Sequence, residues 1–259
     1  MNFQNIVPDK SISLFVKSIL IFEENDPKQK TNLPFFADGC PGLMFQESEN
    51  GLLVNPHKKL MPVFFLYGQT IKPIELEIKG TYKLIVFQLY PFVLKSFFKV
   101  APQTINDNCY DLEQLKEIDI STFIKKLKKL KKTIGKTENI TSLLYQLFQT
   151  KKQTLNFKVK QVIDFILKTK GQESITNLAS ELKLNERTLE RRFLNEVGLS
   201  PKQFSKIIQF QRSLEQLTLK DFKKLTDIVY ENGFTDQSHF IKVFKAFTGK
   251  TPKTFKKLK

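Results

Sequence analysis

The chain has 259 residues, enough for two domains of ordinary size, and its 42 Lys and Arg against 26 Asp and Glu give a formal net charge of +16. Two Cys and two His in the whole chain leave little basis for a cysteine-framed zinc site, a disulfide framework or a histidine-rich metal centre, and no cofactor is expected. The longest apolar runs, such as Val63 to Tyr67, fall well short of the roughly 20 residues that span a bilayer. The start, Met1-Asn2-Phe3-Gln4-Asn5, lacks the basic and apolar regions of a signal peptide, so a cytoplasmic protein without a membrane partner is expected.

The charge is uneven. Residues 1–110 hold 11 basic against 10 acidic side chains, residues 111–155 hold 10 against 5, and residues 156–259 hold 21 against 11. Positive charge thus gathers in the last third, as a surface that tracks phosphates requires. For the charge taken alone, a composition biased toward Lys, Phe, Ile and Asn is the alternative.

Residues 1–110 carry β-prone runs at Ser18–Phe22, Leu43–Gln46, Val63–Tyr67, Ile74–Ile78 and Lys83–Leu89. Turn residues separate them, including Asp38-Gly39, Pro41-Gly42, Asn55-Pro56 and Lys79-Gly80. The pattern predicts a small β-barrel or sandwich, followed by a helix from Pro91 to about Val100. Phe35, Phe64, Phe65, Tyr67, Phe87 and Tyr90 either line an effector pocket or simply form the core. Cys40, between Gly39 and Pro41, reads as a buried structural thiol, with a redox sensor as the alternative, since no basic neighbour in sequence lowers its pKa. His57 lies in a turn-like Asn-Pro-His-Lys stretch, away from any carboxylate cluster of ligand spacing.

Residues 111–155 form a helical connector. Phe123, Leu127, Leu130 and Ile134 recur at helical spacing among lysines 125, 126, 128, 129, 131 and 132. That apolar face either forms a homodimer or packs on the chain's own sheet. A second amphipathic helix, about Ile140 to Gln149, precedes a linker at Lys151-Lys152-Gln153-Thr154. Phe157 to Lys168 then opens the last domain, with Val159, Val162, Ile163 and Ile166 facing inward.

Residues 156–259 contain an internal repeat. Leu178 aligns with Ile228 and Leu184 with Phe234, an offset of 50; Phe193 aligns with Phe244, Gly198 with Gly249, Pro201 with Pro252 and Phe204 with Phe255, an offset of 51. In the first copy Leu178, Ala179 and Leu182 predict a short inward-packed helix, and Lys183-Leu184 a turn. Asn185 is the expected N-cap of a second helix that buries Leu189, Phe193 and Val197 and ends at Gly198. In the second copy the turn is Asn232-Gly233-Phe234, with Thr235 as the expected N-cap and Phe240, Val243, Phe244 and Phe247 inward. Ser200-Pro201 and Thr251-Pro252 each start a further helix, the first reaching about Leu219. A short helix, a tight turn and a polar-faced second helix make a helix-turn-helix, and the long helix between copies presents both reading helices to major grooves roughly 34 Å apart.

Gly233-Phe234-Thr235-Asp236-Gln237-Ser238-His239-Phe240, Val243-Phe244-Lys245 and Thr248-Gly249-Lys250-Thr251-Pro252 closely resemble the signature of the AraC/XylS family of bacterial transcription regulators. The resemblance covers about residues 157–258. Lys183 departs from the usual glycine, which predicts a less regular first turn, and Gln209 and Ser213 replace the usual arginine and alanine of the linker helix. Residues 37–45 resemble, more faintly, sensor domains attached to such regulators.

The resemblance implies an α+β chain with an all-α DNA-binding end. It makes Asn185, Arg187, Glu190 and Arg191 base-facing in the first unit, and Gln237, Ser238, His239 and Lys242 in the second. Side-chain chemistry agrees for several: Arg187 or Arg191 suits guanine, Gln237 suits adenine, and Glu190 either accepts from cytosine or pairs along its own helix. His239 reads better as a spacer than as a base reader. Lys202, Lys245, Lys250 and Lys253, beside helix starts at Pro201 and Pro252, suit phosphates. The expected function is therefore sequence-specific DNA binding in transcription regulation, with no enzymatic step, working at the nucleoid. Double-stranded DNA is the main partner, and RNA polymerase, a small-molecule effector and a second copy of the chain are further candidates. A protein-binding adaptor is the alternative for the amino-terminal domain. A DNA-repair enzyme of the alkyl-transfer type is a weaker rival, because such chemistry typically needs a four-cysteine zinc site.

Overall fold

The computed structural model describes residues 1–151, 157–219, 221–222 and 224–256. Its strands are β1 (Asn2–Ile6), β2 (Val16–Glu24), β3 (Lys30–Phe35), β4 (Gly42–Ser48), β5 (Leu52–Asn55), β6 (Lys59–Leu60), β7 (Phe64–Tyr67), β8 (Ile74–Lys79), β9 (Tyr82–Leu89) and β10 (Cys109–Asp111). They form a six-stranded sheet in the order β1-β2-β9-β4-β7-β10 and a four-stranded sheet in the order β3-β8-β5-β6. The ladders are antiparallel.

Of the two expected forms, the sandwich is the one built, and the barrel is corrected. Among the described residues no ladder joins the two sheets, which leaves β1, β10, β3 and β6 as edges. These strands suit edges. β6 has two residues, β10 has three, and β3 contains Pro34, which has no N–H to donate to a further neighbour.

Strand alternation gives the larger sheet two different faces. Met44, Phe65, Tyr67, Leu84 and Val86 meet the smaller sheet. Phe45, Phe64, Leu66, Ile85 and Phe87 face helices. The expected helix after Pro91 is the shorter α1 (Val93–Phe98), closed by Lys99 in a left-handed conformation at φ 57°.

Two connector helices follow, α2 (Ile120–Lys129) and α3 (Thr133–Lys151). The apolar face of α2 lies on the chain's own sheet: the Phe123 ring is 6.0 Å from Phe64 and Leu127 is fully buried. Ile134, by contrast, is exposed. Lys136 of α3 is only 2% exposed, yet its ammonium pairs with Glu47 of β4 at 2.7 Å and donates to the Leu127 carbonyl at 2.8 Å. A buried cation needs such partners, and this one fastens α3 to both the sheet and α2. Of the expected linker, Lys151 ends α3, and residues 152–154 lie outside the described residues.

The last part is helical: α4 (Phe157–Lys168), α5 (Ile175–Glu181), α6 (Glu186–Val197), α7 (Pro201–Leu219), α8 (Leu225–Glu231), α9 (Gln237–Thr248) and α10 (Pro252–Lys256). The first repeat shares one continuous apolar core with the larger sheet and with α1 to α3, through Phe193, Val197, Phe204 and Ile208. The second repeat has its own core of Phe210, Ile228, Phe234, Phe240 and Phe244. Among the described residues no helix is long and apolar enough to cross a membrane.

Candidate nucleic-acid interface

Each repeat is a helix, a turn and a second helix. In the first, α5 is capped by Ser174, whose side chain accepts from the Asn177 N–H. The turn passes through Lys183 at φ 52°, the left-handed geometry that glycine adopts freely and an L-residue holds at a cost of about 1–2 kcal/mol. Gly233 holds the matching place in the second copy at φ 73°. The departure at Lys183 therefore leaves the turn's geometry intact and adds strain.

Asn185 caps α6, its side-chain oxygen accepting from the Arg187 N–H at 2.9 Å. In the second copy Asp236 is the N-cap, accepting from the His239 N–H at 2.8 Å. The expectation of Thr235 is corrected by one residue. A carboxylate is the stronger acceptor at the positive end of a helix, and Asp236 aligns with Asn185 at the later offset of 51. Thr235 is thus the inserted residue. Both second helices end on a left-handed glycine, Gly198 at φ 85° and Gly249 at φ 72°.

Both exit helices begin as expected. At the start of α7, Ser200 Oγ accepts from the Gln203 N–H at 3.2 Å and Gln203 returns its side-chain oxygen to the Ser200 N–H at 2.9 Å. This reciprocal cap satisfies two helix-end donors. At α10, Thr251 Oγ1 accepts from the Thr254 N–H at 3.2 Å. Between the copies, the Ser213 hydroxyl is fully buried and satisfied by the Phe210 carbonyl at 2.7 Å, and Gln209 lies buried against Gly233.

Arg187, Glu190 and Arg191 are exposed on α6, and Gln237, Ser238 and Lys242 on α9. Asn185 is exposed as well, but its oxygen is taken by the cap. His239 stands apart from the other second-unit candidates. It is half-buried, its ring meets Phe234 edge-on at 5.6 Å, and it lines a cleft between the two units together with Ser205, Lys206 and Gly233. Lys202, Lys245, Lys250 and Lys253 are all exposed, and Lys202 also borders that cleft. Lys206 escaped the sequence reading, although its place one helical turn after Lys202 puts it on the same face.

The amino-terminal domain grips both units. Gln103 donates to the Leu194 carbonyl at 2.7 Å and Asn106 to the Gly198 carbonyl at 2.8 Å, both at the end of α6. Lys95 pairs with Glu196 at 3.5 Å. Gln211 of α7 donates to the Ala37 carbonyl, Phe36 meets Phe255 ring to ring at 5.8 Å, and Gly249 sits beside Pro73.

Between the two sheets lies a cavity of about 310 Å³. Of the aromatic residues expected to line a pocket or a core, Phe35, Phe65 and Tyr67 line it. Phe64 and Phe87 belong to the core on the opposite face, and Tyr90 stacks on Phe92. Alternation separates Phe64 from Phe65. Cys40 is buried, as read from the sequence, and its thiol is pushed up to about 12 by burial first and the Asp38 charge second. Folding does bring a basic neighbour, since Lys17 Nζ reaches Cys40 Sγ at 3.5 Å, but desolvation outweighs it. Among the described residues no group of three or more His, Cys, Asp or Glu is placed to hold a metal ion.

Residues 178–258 match the family described as a helix-turn-helix domain, and residues 4–111 match a domain of unknown function (DUF6597). An uncharacterized HTH-type transcriptional regulator of Staphylococcus aureus (strain MRSA252) is 24% identical over 207 residues, which is 75% of this chain and 28% of that protein. The HTH-type transcriptional activator RhaS of Yersinia pestis (strain Pestoides F) is 33% identical over 76 residues, 29% of this chain and 28% of that one. The chain thus spans little more than a quarter of the length of these relatives. Among solved structures, ToxT from Vibrio cholerae O395 is similar at TM-score 0.46 and 13% identity, over 99% of this chain and 97% of that one. The C-terminal domain of AraT, a response regulator from Geobacillus stearothermophilus, is similar at TM-score 0.39 and 22% identity, over 40% of this chain and 88% of that one.

Proposed function

We propose that this chain, which belongs through residues 178–258 to the AraC/XylS family of helix-turn-helix regulators, is a sequence-specific transcription regulator that docks on one face of double-stranded DNA. The observation that carries this reading is the duplication. Two units share a left-handed turn residue, a side-chain N-cap, a left-handed glycine C-cap and a proline-started exit helix, and each leaves Arg, Gln, Ser or Lys exposed on its second helix. Exposed side chains of this kind on a groove-sized helix are what direct base readout requires.

In this reading Arg187, Glu190 and Arg191 read one major groove, Gln237, Ser238 and Lys242 read the next, and Asn185 serves as a cap. Lys202, Lys206, Lys245, Lys250 and Lys253 hold phosphates, and His239 positions the second unit from the cleft. Proteins of this family are transcription regulators rather than enzymes, and no catalytic role is assigned. The protein works in the cytoplasm at the nucleoid. RNA polymerase and a second copy of the chain are the partners to examine at a promoter.

The amino-terminal sandwich is read as a small-molecule sensor. A mostly apolar cavity between the two sheets is what a ligand site needs and a protein-binding adaptor does not. Repeated selection of the full chain on randomised duplexes tests the regulator reading. It should enrich a motif of two elements about 10 base pairs apart, centre to centre. Failure to enrich any motif overturns it.

A further inference from the structure

One stretch of chain, residues 102–109, touches both the cavity and the first reading helix. On its outer side, Gln103 and Asn106 hold the Leu194 and Gly198 carbonyls at the end of α6. Pro102 lies so close to Gly198 that a Cβ there would sit 2.9 Å from the proline Cβ. On its inner side, Asp107 and Asn108 line the cavity. The stretch is tied to residues 68–72 by backbone donors. The Gly68 N–H donates to the Ile105 carbonyl at 3.2 Å, the Gln69 N–H to Asn106 Oδ1 at 3.3 Å, and the Ile71 and Lys72 N–H groups to Asp107 Oδ1 at 2.6 and 3.0 Å.

The cavity wall is apolar through Met44, Leu52, Met61, Phe65 and Leu76, and Lys59 brings a cation to it. Lys59 Nζ donates to the side-chain oxygen of Asn108 at 2.5 Å. That acceptor is neutral, and an anion forms roughly twice as strong a hydrogen bond with an ammonium group. Among the described residues Lys59 makes no ion pair with Asp107, whose Oδ1 accepts from two backbone N–H groups.

We infer that the cavity takes an apolar molecule bearing an anionic group, that this group draws Lys59 from Asn108, and that the resulting shift of residues 105–109 changes the hold of Asn106 and Gln103 on the first reading helix. The inference rests on the sensor reading above and adds the ligand class and the route by which occupancy reaches DNA. The route is short: Asn108, at the cavity, and Asn106, at the end of α6, are two residues apart.

The test uses the full chain, an oligonucleotide recovered by the selection above, and two fluorescent probes. One is 8-anilinonaphthalene-1-sulfonate, apolar with one anionic group; the other is the uncharged N-phenyl-1-naphthylamine. Met61→Trp, which fills the cavity, should abolish binding of both. Lys59→Met should weaken the sulfonate about tenfold and leave the neutral probe within twofold. In the wild type, saturating sulfonate should change the DNA Kd by about fivefold or more, a typical coupling between sites. In the double variant Gln103→Ala/Asn106→Ala the sulfonate should still bind while the change in DNA Kd falls below twofold.

Equal loss of both probes in Lys59→Met, or undiminished binding in Met61→Trp, overturns the ligand class. An undiminished DNA response in the double variant, or none in the wild type, overturns the route. Each result presupposes a selected oligonucleotide. Its absence defeats the regulator reading, whereas a bound oligonucleotide indifferent to the probe defeats only the coupling.

Discussion

The two C-cap glycines offer a controlled comparison within one chain. Gly198 and Gly249 close equivalent helices in the same left-handed conformation, at φ 85° and φ 72°. Substituting alanine forces an L-residue into that region in either copy, which costs about 1–2 kcal/mol. The surroundings differ. A Cβ on Gly249 would meet only Pro73 Cγ, at an ordinary 3.7 Å, whereas one on Gly198 would lie 2.9 Å from the Pro102 Cβ and 3.0 Å from its carbonyl carbon. Pro102 begins a short turn seated on the larger sheet, so it cannot yield as a flexible side chain would. Overpacking of this kind costs about 1–3 kcal/mol. If Pro102 is driven back, the bond from Asn106 to the Gly198 carbonyl is strained too, a further loss of up to about 1 kcal/mol. Gly249→Ala should therefore destabilise the chain by about 1–2 kcal/mol, from the backbone alone. Gly198→Ala should destabilise it by about 2–5 kcal/mol, backbone and overpacking together. Urea unfolding of the full chain, followed by circular dichroism, measures both. Equal losses would refute the claim that the amino-terminal domain bears on the end of α6.

Further outcomes follow from individual side chains. Gln237→Ala or Arg191→Ala should weaken the selected site by about 1–3 kcal/mol while leaving random DNA nearly untouched; equal loss on both would remove the base-reading role. Lys253→Ala should lower affinity for all sequences and reduce the slope of log Kd against log salt by about one, and an unchanged slope would reject the phosphate contact. Burial lifts the Asp38 carboxyl to about 6, against the lowering effect of hydrogen bonds from the Cys40 N–H and Gln88 and of the Lys17 charge. Its folded value lies above the unfolded one, near 3.9, so its contribution to stability is whole below about 4 and is lost as pH rises through 6. The thermal midpoint of wild type minus that of Asp38→Asn should accordingly fall between pH 5 and 7.5, and parallel curves would contradict it. Cys109, half-buried and raised less, should react with a disulfide reagent before Cys40, whose thiol is pushed up to about 12; early labelling of Cys40 would show that its enclosure is wrong.

The helix-turn-helix units were legible because their determinants are local. Gly198, Gly249, Pro201, Pro252 and the apolar spacing Leu189-Phe193-Val197 each act within one or two helical turns. The central strands were legible for a similar reason, since β2, β4, β7 and β9 carry apolar runs and β8 alternates Ile, Glu, Leu, Glu and Ile. The strands at the edges escaped: β1 is exposed along nearly its whole length, and β3 holds a proline and alternates with Lys, Thr and Asn. Barrel and sandwich differ only in which edges meet, and that depends on pairings far apart in sequence. The grip of Gln103 and Asn106 on α6 spans more than 90 residues. Neither side chain looks unlike an ordinary surface amide in the sequence, and the same holds for Lys59 at the cavity.

Identical local devices also fare differently once packed, and α7 is where the difference meets. Phe204, Ile207 and Ile208 of this helix lie in the core that runs on into the amino-terminal sheet. Phe210 and Leu217, further along, lie in the separate core of the second unit. The helix has no glycine, and its only proline is at the first position, so it bends little between these two attachments. Gly39 rests on Phe204 and Ile208, and Gln211 holds the Ala37 carbonyl, so the loop between β3 and β4 rides on the same helix. A displacement of the first unit against the sheet therefore cannot stay local: α7 must carry it as a tilt to the second unit, which meets the amino-terminal domain through Phe36 against Phe255 and Pro73 beside Gly249. The relative setting of the two reading helices is in this way a property of the domain contact and not of the repeat.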